Sequence, residues 1–206
     1  DPQCSALTQA QKDGFIPFGY DSEANLFITA SEQKNIPYTA IGDDLKGQIL
    51  FNNADAKSMV QYFKTMYDAR VLTSKEMLGG DYTSNRFVAQ NLMMSVGSTG
   101  GTNYNIPSDG RFEVGVAPIP QFDTNNQRVI KQGPNINFFR KDNVQENIAA
   151  FLFYKFITNT ENSARWSIAT GYSPVRKSSF EIVNNYYNNL SSPTAKDLVF
   201  QAVNQT

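Results

Sequence analysis

Three short loops hold the residues best suited to chemistry. Gly171-Tyr172-Ser173-Pro174-Val175-Arg176 joins two helical segments. Glycine releases the chain from the first helix and proline stiffens the turn that follows. A phenol and a guanidinium are left on a tight loop that can face a ligand. Gly97-Ser98-Thr99-Gly100-Gly101 follows the apolar run Leu92-Met93-Met94-Ser95-Val96. A buried strand opening into such a turn is a place where ligands meet backbone amides. Gly133-Pro134-Asn135 offers a close backbone approach and a carboxamide. Trp166, Tyr172, Tyr104 and Tyr20 are aromatic surfaces able to stack on a sugar ring or shield a polar ligand. Arg176 has the planar fork that suits hydroxyls, carboxylates or phosphate. Each feature also has a plain reading: helix packing for Trp166, a solvated helix-start charge for Arg176, an ordinary turn for Gly133-Pro134-Asn135.

Covalent and metal chemistry has little to work with. The 206 residues contain no histidine and one cysteine, Cys4. Histidine triads, histidine acid-base pairs, histidine metal sites, thiolate clusters and an internal disulfide are all removed. Ser98 has no histidine to activate it, and no lysine stands in a telling relation to it. The turn in the Gly97–Gly101 stretch also lacks the lysine and spacing of a phosphate-binding loop. Asp43-Asp44 after Gly42 reads as a turn. No catalytic residue, metal or cofactor is expected. A formal net charge of -1 gives no basic field for a phosphate backbone, so nucleic acid is not an expected partner. Cys4 reads as an ordinary helix or loop residue, because Asp1-Pro2-Gln3 before it is no signal peptide.

The elements that must position these loops alternate in type. Ser5 to Lys12 reads as the last turns of a helix, stopped by Gly14. Phe15-Ile16-Pro17-Phe18 is a short strand whose proline implies an edge or an end. Asp21-Ser22-Glu23 starts a helix. Gln48 to Phe51 is a strand, and Asn53 or Asp55 caps an amphipathic helix carrying Met59, Phe63, Met66 and Tyr67. A helix over Asn85–Asn91, with Phe87 and Val88 inward, precedes the Leu92–Val96 strand. Phe112 to Pro118, Val129-Ile130 and Ile136 to Phe139 read as further strands. Asn143 caps a helix whose core face includes Ile148, Phe151, Leu152, the stem of Lys155, and Phe156. Three more helices follow, from Thr160, from Ser178 and after Pro193. The fold class is α/β with a helix-rich C-terminal end: 15-140 forms the α/β part and 143-206 the helical part. No apolar run reaches membrane-spanning length.

The order of these motifs resembles the later part of a bacterial extracellular solute-binding protein of an ABC importer. The group is the carbohydrate-binding one that includes maltose-binding and glycerol-3-phosphate-binding proteins. The resemblance runs through Phe18-Gly19-Tyr20-Asp21, Phe51-Asn52-Asn53-Ala54, Met93-Met94-Ser95-Val96-Gly97-Ser98, Val116-Ala117-Pro118-Ile119-Pro120, Gly133-Pro134-Asn135 and Trp166 with Gly171-Tyr172-Ser173-Pro174-Val175. It implies a periplasmic-binding-protein-like type II fold, mainly the C-terminal lobe, with the opening part of the N-terminal lobe lacking from this 1-206 fragment. It also implies non-catalytic capture of a small polar ligand, a carbohydrate or glycerol phosphate, for an ABC permease. The implied location is the extracellular face of the bacterial cytoplasmic membrane or the periplasm, with lipid anchoring of the full-length protein and a monomeric state. Ligand contacts carried over by resemblance are Ser98, Thr99, Gly133, Asn135, Tyr172 and Arg176, with Trp166 as a wall of the site or a helix anchor. The alternative is a surface interaction or sensing module that reuses the fold. A hydrolase would need a carboxylate or serine-lysine pair that the sequence does not supply.

Overall fold

The structure, a computed structural model, describes residues 14–205. The expected helix over Ser5–Lys12, and Cys4, lie outside them. The chain divides into two compact units, Asp1–Gly97 with Ile119–Lys131, and Ser98–Pro118 with Gln132–Thr206. This division does not follow the 140/143 boundary read from the sequence: residues 98–118 and 132–140 group with the helices.

In the first unit, β1 (Ile16–Tyr20) is the central strand of a parallel three-stranded sheet, between β4 (Leu72–Ser74) and β5 (Leu92–Val96). Phe18 stands opposite Leu72 on one side and Met94 on the other. Of the two positions the proline implies, an edge or an end, the structure shows the end: β1 is central and Pro17 lies at its start. Pro17 is tolerated because it sits at the start of the strand, where the Ile16 and Phe18 N–H groups donate to the Asn91 and Val71 carbonyls at 3.0 and 3.1 Å. Helix α1 (Glu23–Gln33) follows, and the Ser22 hydroxyl caps it by accepting from the Asn25 N–H at 3.3 Å. A small antiparallel hairpin, β2 (Thr39–Ile41) with β3 (Gly47–Ile49), leads to α2 (Ala54–Asp68). Asn53 caps α2 through its side-chain oxygen, 2.8 Å from the Ala56 N–H. Ala30 and Ile36 pack against Ala56 and Met59, with Phe27 and Phe63 beside them, as the helical spacing of Met59 and Phe63 requires. Helix α3 (Thr83–Val88) then precedes β5, with Phe87 and Val88 partly buried.

Residues 119–131 join this unit through two amides and the Phe122 ring, which lies against Tyr62 and Phe63. Asn126 Nδ2 donates to the Gln33 carbonyl at 2.8 Å, and the buried Gln33 side chain is the second amide. Gln33, 4% exposed, donates from Nε2 to the Pro120 and Arg128 carbonyls at 3.2 and 3.0 Å and accepts from the Phe122 N–H at 3.2 Å. All three partners are backbone groups that would otherwise need water or a strand neighbour.

The second unit carries a 3-10 segment (Thr99–Asn105) and four helices: α4 (Val144–Ile157), α5 (Thr160–Thr170), α6 (Lys177–Asn188) and α7 (Ala195–Gln205). Its core is Ala164 of α5, Val183 and Tyr187 of α6 and Phe200 of α7, with Ile168 and Leu190 packed on it.

Two sets of expectations are corrected. Phe112–Pro118, Val129-Ile130 and Ile136–Phe139 form no strands among the described residues. Phe112, Val114 and Val116 do alternate with exposed neighbours, but no partner strand supplies a ladder. Helix α4 was expected to bury Ile148, Phe151, Leu152 and Phe156. It buries no residue, and Phe151 is 53% and Phe156 62% exposed. Its apolar residues go nearly all round, so helical period alone assigns no inward face.

Candidate functional site

The site assembles from two turns of the second unit. The first begins at Ser98, whose hydroxyl accepts from the Gly100 N–H at 3.2 Å and whose carbonyl accepts from the Gly101 N–H at 2.8 Å. The Thr99 carbonyl takes the Thr102 hydroxyl at 2.6 Å, and Asn105 Nδ2 donates to the Gly101 carbonyl at 3.2 Å. Serine and threonine belong at such a position because their hydroxyls satisfy backbone groups that a tight turn leaves open.

The second turn begins where α5 ends. Gly171 holds a left-handed conformation, φ 81°, and its N–H closes on the Ser167 carbonyl at 2.8 Å. A side chain there would also press on the Phe200 ring at 3.1 Å. The downstream half of the loop is pinned to the start of α5. Val175 N–H donates to the buried Ser163 hydroxyl at 3.0 Å, and Ser179 Oγ donates to the Thr160 carbonyl at 2.7 Å.

These two turns meet through glycine. The Tyr172 ring lies so close to Gly100 that a Cβ built there would come within 2.5 Å of the Tyr172 Cε1 and hydroxyl oxygen. Gly100 is not needed for a left-handed backbone; it is needed for the space the ring occupies. Tyr172 nevertheless keeps 44% of its surface exposed. An aromatic ring therefore stands beside a turn of hydroxyls and amides.

The other sequence-predicted residues are placed differently. Arg176 precedes α6, and its Nε donates to the carbonyl of Thr158, the residue that ends α4. A guanidinium at a helix C-terminus satisfies an orphan carbonyl and the negative end of the dipole. Trp166 lies on α5 with 64% of its surface exposed, so it is not a core anchor among the described residues. Gly133 and Asn135 are exposed in an irregular stretch, and nothing lies within 4 Å of a Cβ placed on Gly133.

Gly100 and Phe200 were missed by sequence reasoning. The paired glycines after a strand were a signal for Gly100; Phe200 gave none beyond helical spacing. The first unit also holds polar groups at the carboxyl ends of its strands, the usual ligand side of a parallel sheet. Asp21 Oδ1 accepts from the Thr83 N–H and hydroxyl, both at 3.1 Å, and Thr83 Oγ1 lies 2.9 Å from Ser95 Oγ. Asp21 there does the work of a cap for α3. Groups of histidine, cysteine and carboxylate side chains able to hold a metal are absent among the described residues. No helix among them is long and apolar enough to cross a membrane.

No curated protein matches the chain. The family of bacterial extracellular solute-binding proteins matches residues 4–192. Its members are non-catalytic proteins that bind a small polar solute for an ABC permease on the extracellular or periplasmic side. The mixed α/β architecture and helix-rich C-terminal region accord with that fold, and this chain belongs to the family.

Proposed function

We propose that the chain binds a sugar or sugar-like solute on the surface shared by Ser98, Thr99 and Tyr172, within a periplasmic-binding-protein-like type II fold. The observation that carries this reading is the Gly100–Tyr172 contact, which sets an aromatic face beside turn hydroxyls and amides. A sugar ring needs both: an apolar face to stack on, and donors and acceptors for its equatorial hydroxyls. Gly133, Asn135 and Trp166 are exposed and able to extend the contact surface. Arg176 serves as a buttress, because its guanidinium is engaged by the Thr158 carbonyl. That favours a neutral sugar over glycerol phosphate, whose binding calls for a committed cation. Delivery to the permease of a sugar importer follows, from a lipid-anchored position on the outer face of the membrane.

Calorimetric titration of the protein with monosaccharides, oligosaccharides and glycerol phosphate tests the reading. A neutral sugar should saturate it, and Tyr172→Ala should weaken that sugar by about 1–3 kcal/mol. Saturation by glycerol phosphate alone would reject the neutral-sugar assignment. One observation favours the second reading, an interaction module: Phe151, Leu152, Phe153 and Phe156 of α4 are each more than half exposed.

A further inference from the structure

Helix α2 presents a stripe that faces a cleft of the first unit. Asp55, Ser58, Met59 and Tyr62 fall at i, i+3, i+4 and i+7, so they share one side of the helix. Together with Lys34, Ile36 and Phe122 from two other segments they line a space of about 750 Å³, within the size range of small-molecule sites. The character of the stripe changes along its length. A carboxylate and a hydroxyl stand at the N-terminal end, a thioether in the middle and an aromatic ring at the far end. Met59 and Ile36 form a buried floor, 3% and 6% exposed.

The aromatic end is held in place by the fold. The Tyr62, Phe63 and Phe122 rings contact one another, with centroids 5.5, 6.2 and 6.4 Å apart. The Gln33 amide binds the Phe122 N–H and the Pro120 and Arg128 carbonyls on either side, so this wall is ordered before any ligand arrives. Tyr62 and Phe122 nevertheless stay 52% and 46% exposed. Lys34 Nζ lies 4.7 Å from the Phe122 centroid. The ring face covers one side of the ammonium, which has three donors to give. Asp55 complements the positive end of α2. Neither Lys34 nor Asp55 takes part in an ion pair among the described residues. A cleft with one cation, one anion and an apolar floor suits a ligand that carries both charges and an apolar body.

We propose that this cleft binds a short apolar peptide with free termini. The peptide's ammonium pairs with Asp55, its carboxylate with Lys34, and its side chains lie on Met59, Tyr62 and Phe122. The stripe from Asp55 to Tyr62 rises about 10 Å, at 1.5 Å per residue. An extended peptide of about three residues covers that length, and a single amino acid does not. None of these residues belongs to the solute surface at Ser98, Thr99 and Tyr172, so the inference does not rest on the sugar reading.

Titration calorimetry of the protein with trileucine tests it. Saturable binding is expected, with a Kd below about 1 mM. Triglycine, which has no apolar body, should bind at least about tenfold more weakly. Blocked peptides separate the two ends. Asp55→Asn should weaken trileucine by about fivefold and leave N-acetyl-trileucine unchanged. Lys34→Gln should weaken trileucine by a similar factor and leave trileucine amide unchanged. Both positions are exposed, so neither replacement disturbs the core. Tyr172→Ala should leave trileucine binding as it is in the wild type. Absence of saturation by trileucine, equal affinity for triglycine, or an equal loss of free and blocked peptides in either charge variant would overturn the proposal. Loss of trileucine binding in Tyr172→Ala would overturn it as well, by moving the peptide to the solute surface.

Discussion

Replacing Gly100 by alanine should weaken solute binding without unfolding the protein. The added methyl would overlap Tyr172 Cζ and lie 2.5 Å from its Cε1 and hydroxyl oxygen, where ordinary contact begins at 3.4 Å. The ring must therefore withdraw by about 1 Å, since packed atoms do not interpenetrate. Gly100 lies outside the left-handed region, so alanine adds no backbone strain and the whole effect runs through the ring. Tyr172 is 44% exposed and can swing toward solvent, which holds the stability loss to about 1 kcal/mol, the low end for overpacking. Affinity should fall more than stability, because a sugar stacked on the ring loses register with the Ser98 and Thr99 hydroxyls. Truncating Tyr172 sets the ceiling, about 1–3 kcal/mol for a buried anchor. Gly100→Ala should reach roughly 1–2 kcal/mol, a 5- to 30-fold rise in Kd. Titration calorimetry gives the affinity, and urea denaturation of the same samples gives the stability. An alanine variant with wild-type affinity would refute the claim that Gly100 sets the position of a solute-contacting ring.

Three further outcomes follow from the same geometry. Gln33→Ala removes three hydrogen bonds from a buried amide to exposed backbone and should cost about 1–3 kcal/mol, with faster hydrogen exchange at the Phe122 amide; unchanged exchange there would show that the Phe122 N–H is held by something else. Arg176→Ala should lower stability by about 1 kcal/mol through loss of the Thr158 contact while leaving sugar affinity unaltered, and a selective loss of affinity would return the guanidinium to the ligand. Burial, with smaller contributions from Tyr186 and Asp197, pushes the Tyr187 phenol up to about 12. The unfolded chain releases that proton near the ordinary value of 10, so this contribution to stability is full below pH 10 and is lost as pH rises through 12. Its hydroxyl is buried without a hydrogen-bond partner. Tyr187→Phe should therefore be at least as stable as the wild type near neutrality and should lose less stability between pH 10 and 12, measured by denaturant unfolding.

What the sequence disclosed, and what it withheld, divides along physical lines. Helix ends were legible because capping is local chemistry: Ser22, Asn53 and Asn143 each bond the N–H expected of an N-cap. Gly171 was legible for the same reason, as a left-handed helix stop. Strands were less so. β4 has three residues, too few to show a period, and Phe112–Pro118 has the period without a neighbour to pair with. Whether an extended segment becomes a strand depends on a partner distant in the chain, which local pattern does not encode. The candidate site shows the same split. Tyr172 and the Ser98–Gly101 turn could each be read locally. That Gly100 gives its missing side chain's space to Tyr172, 72 residues away, is a tertiary fact. Arg176 drew attention as a free cation, and only the fold shows it bound to Thr158.

The most direct test is a side-by-side titration of the wild type and Tyr172→Ala with neutral sugars and glycerol phosphate, each sample checked for intact folding. The account predicts that a neutral sugar saturates the wild type, that glycerol phosphate does not, and that the variant binds the sugar about 5- to 150-fold more weakly. Equal sugar affinity in the two proteins would contradict it.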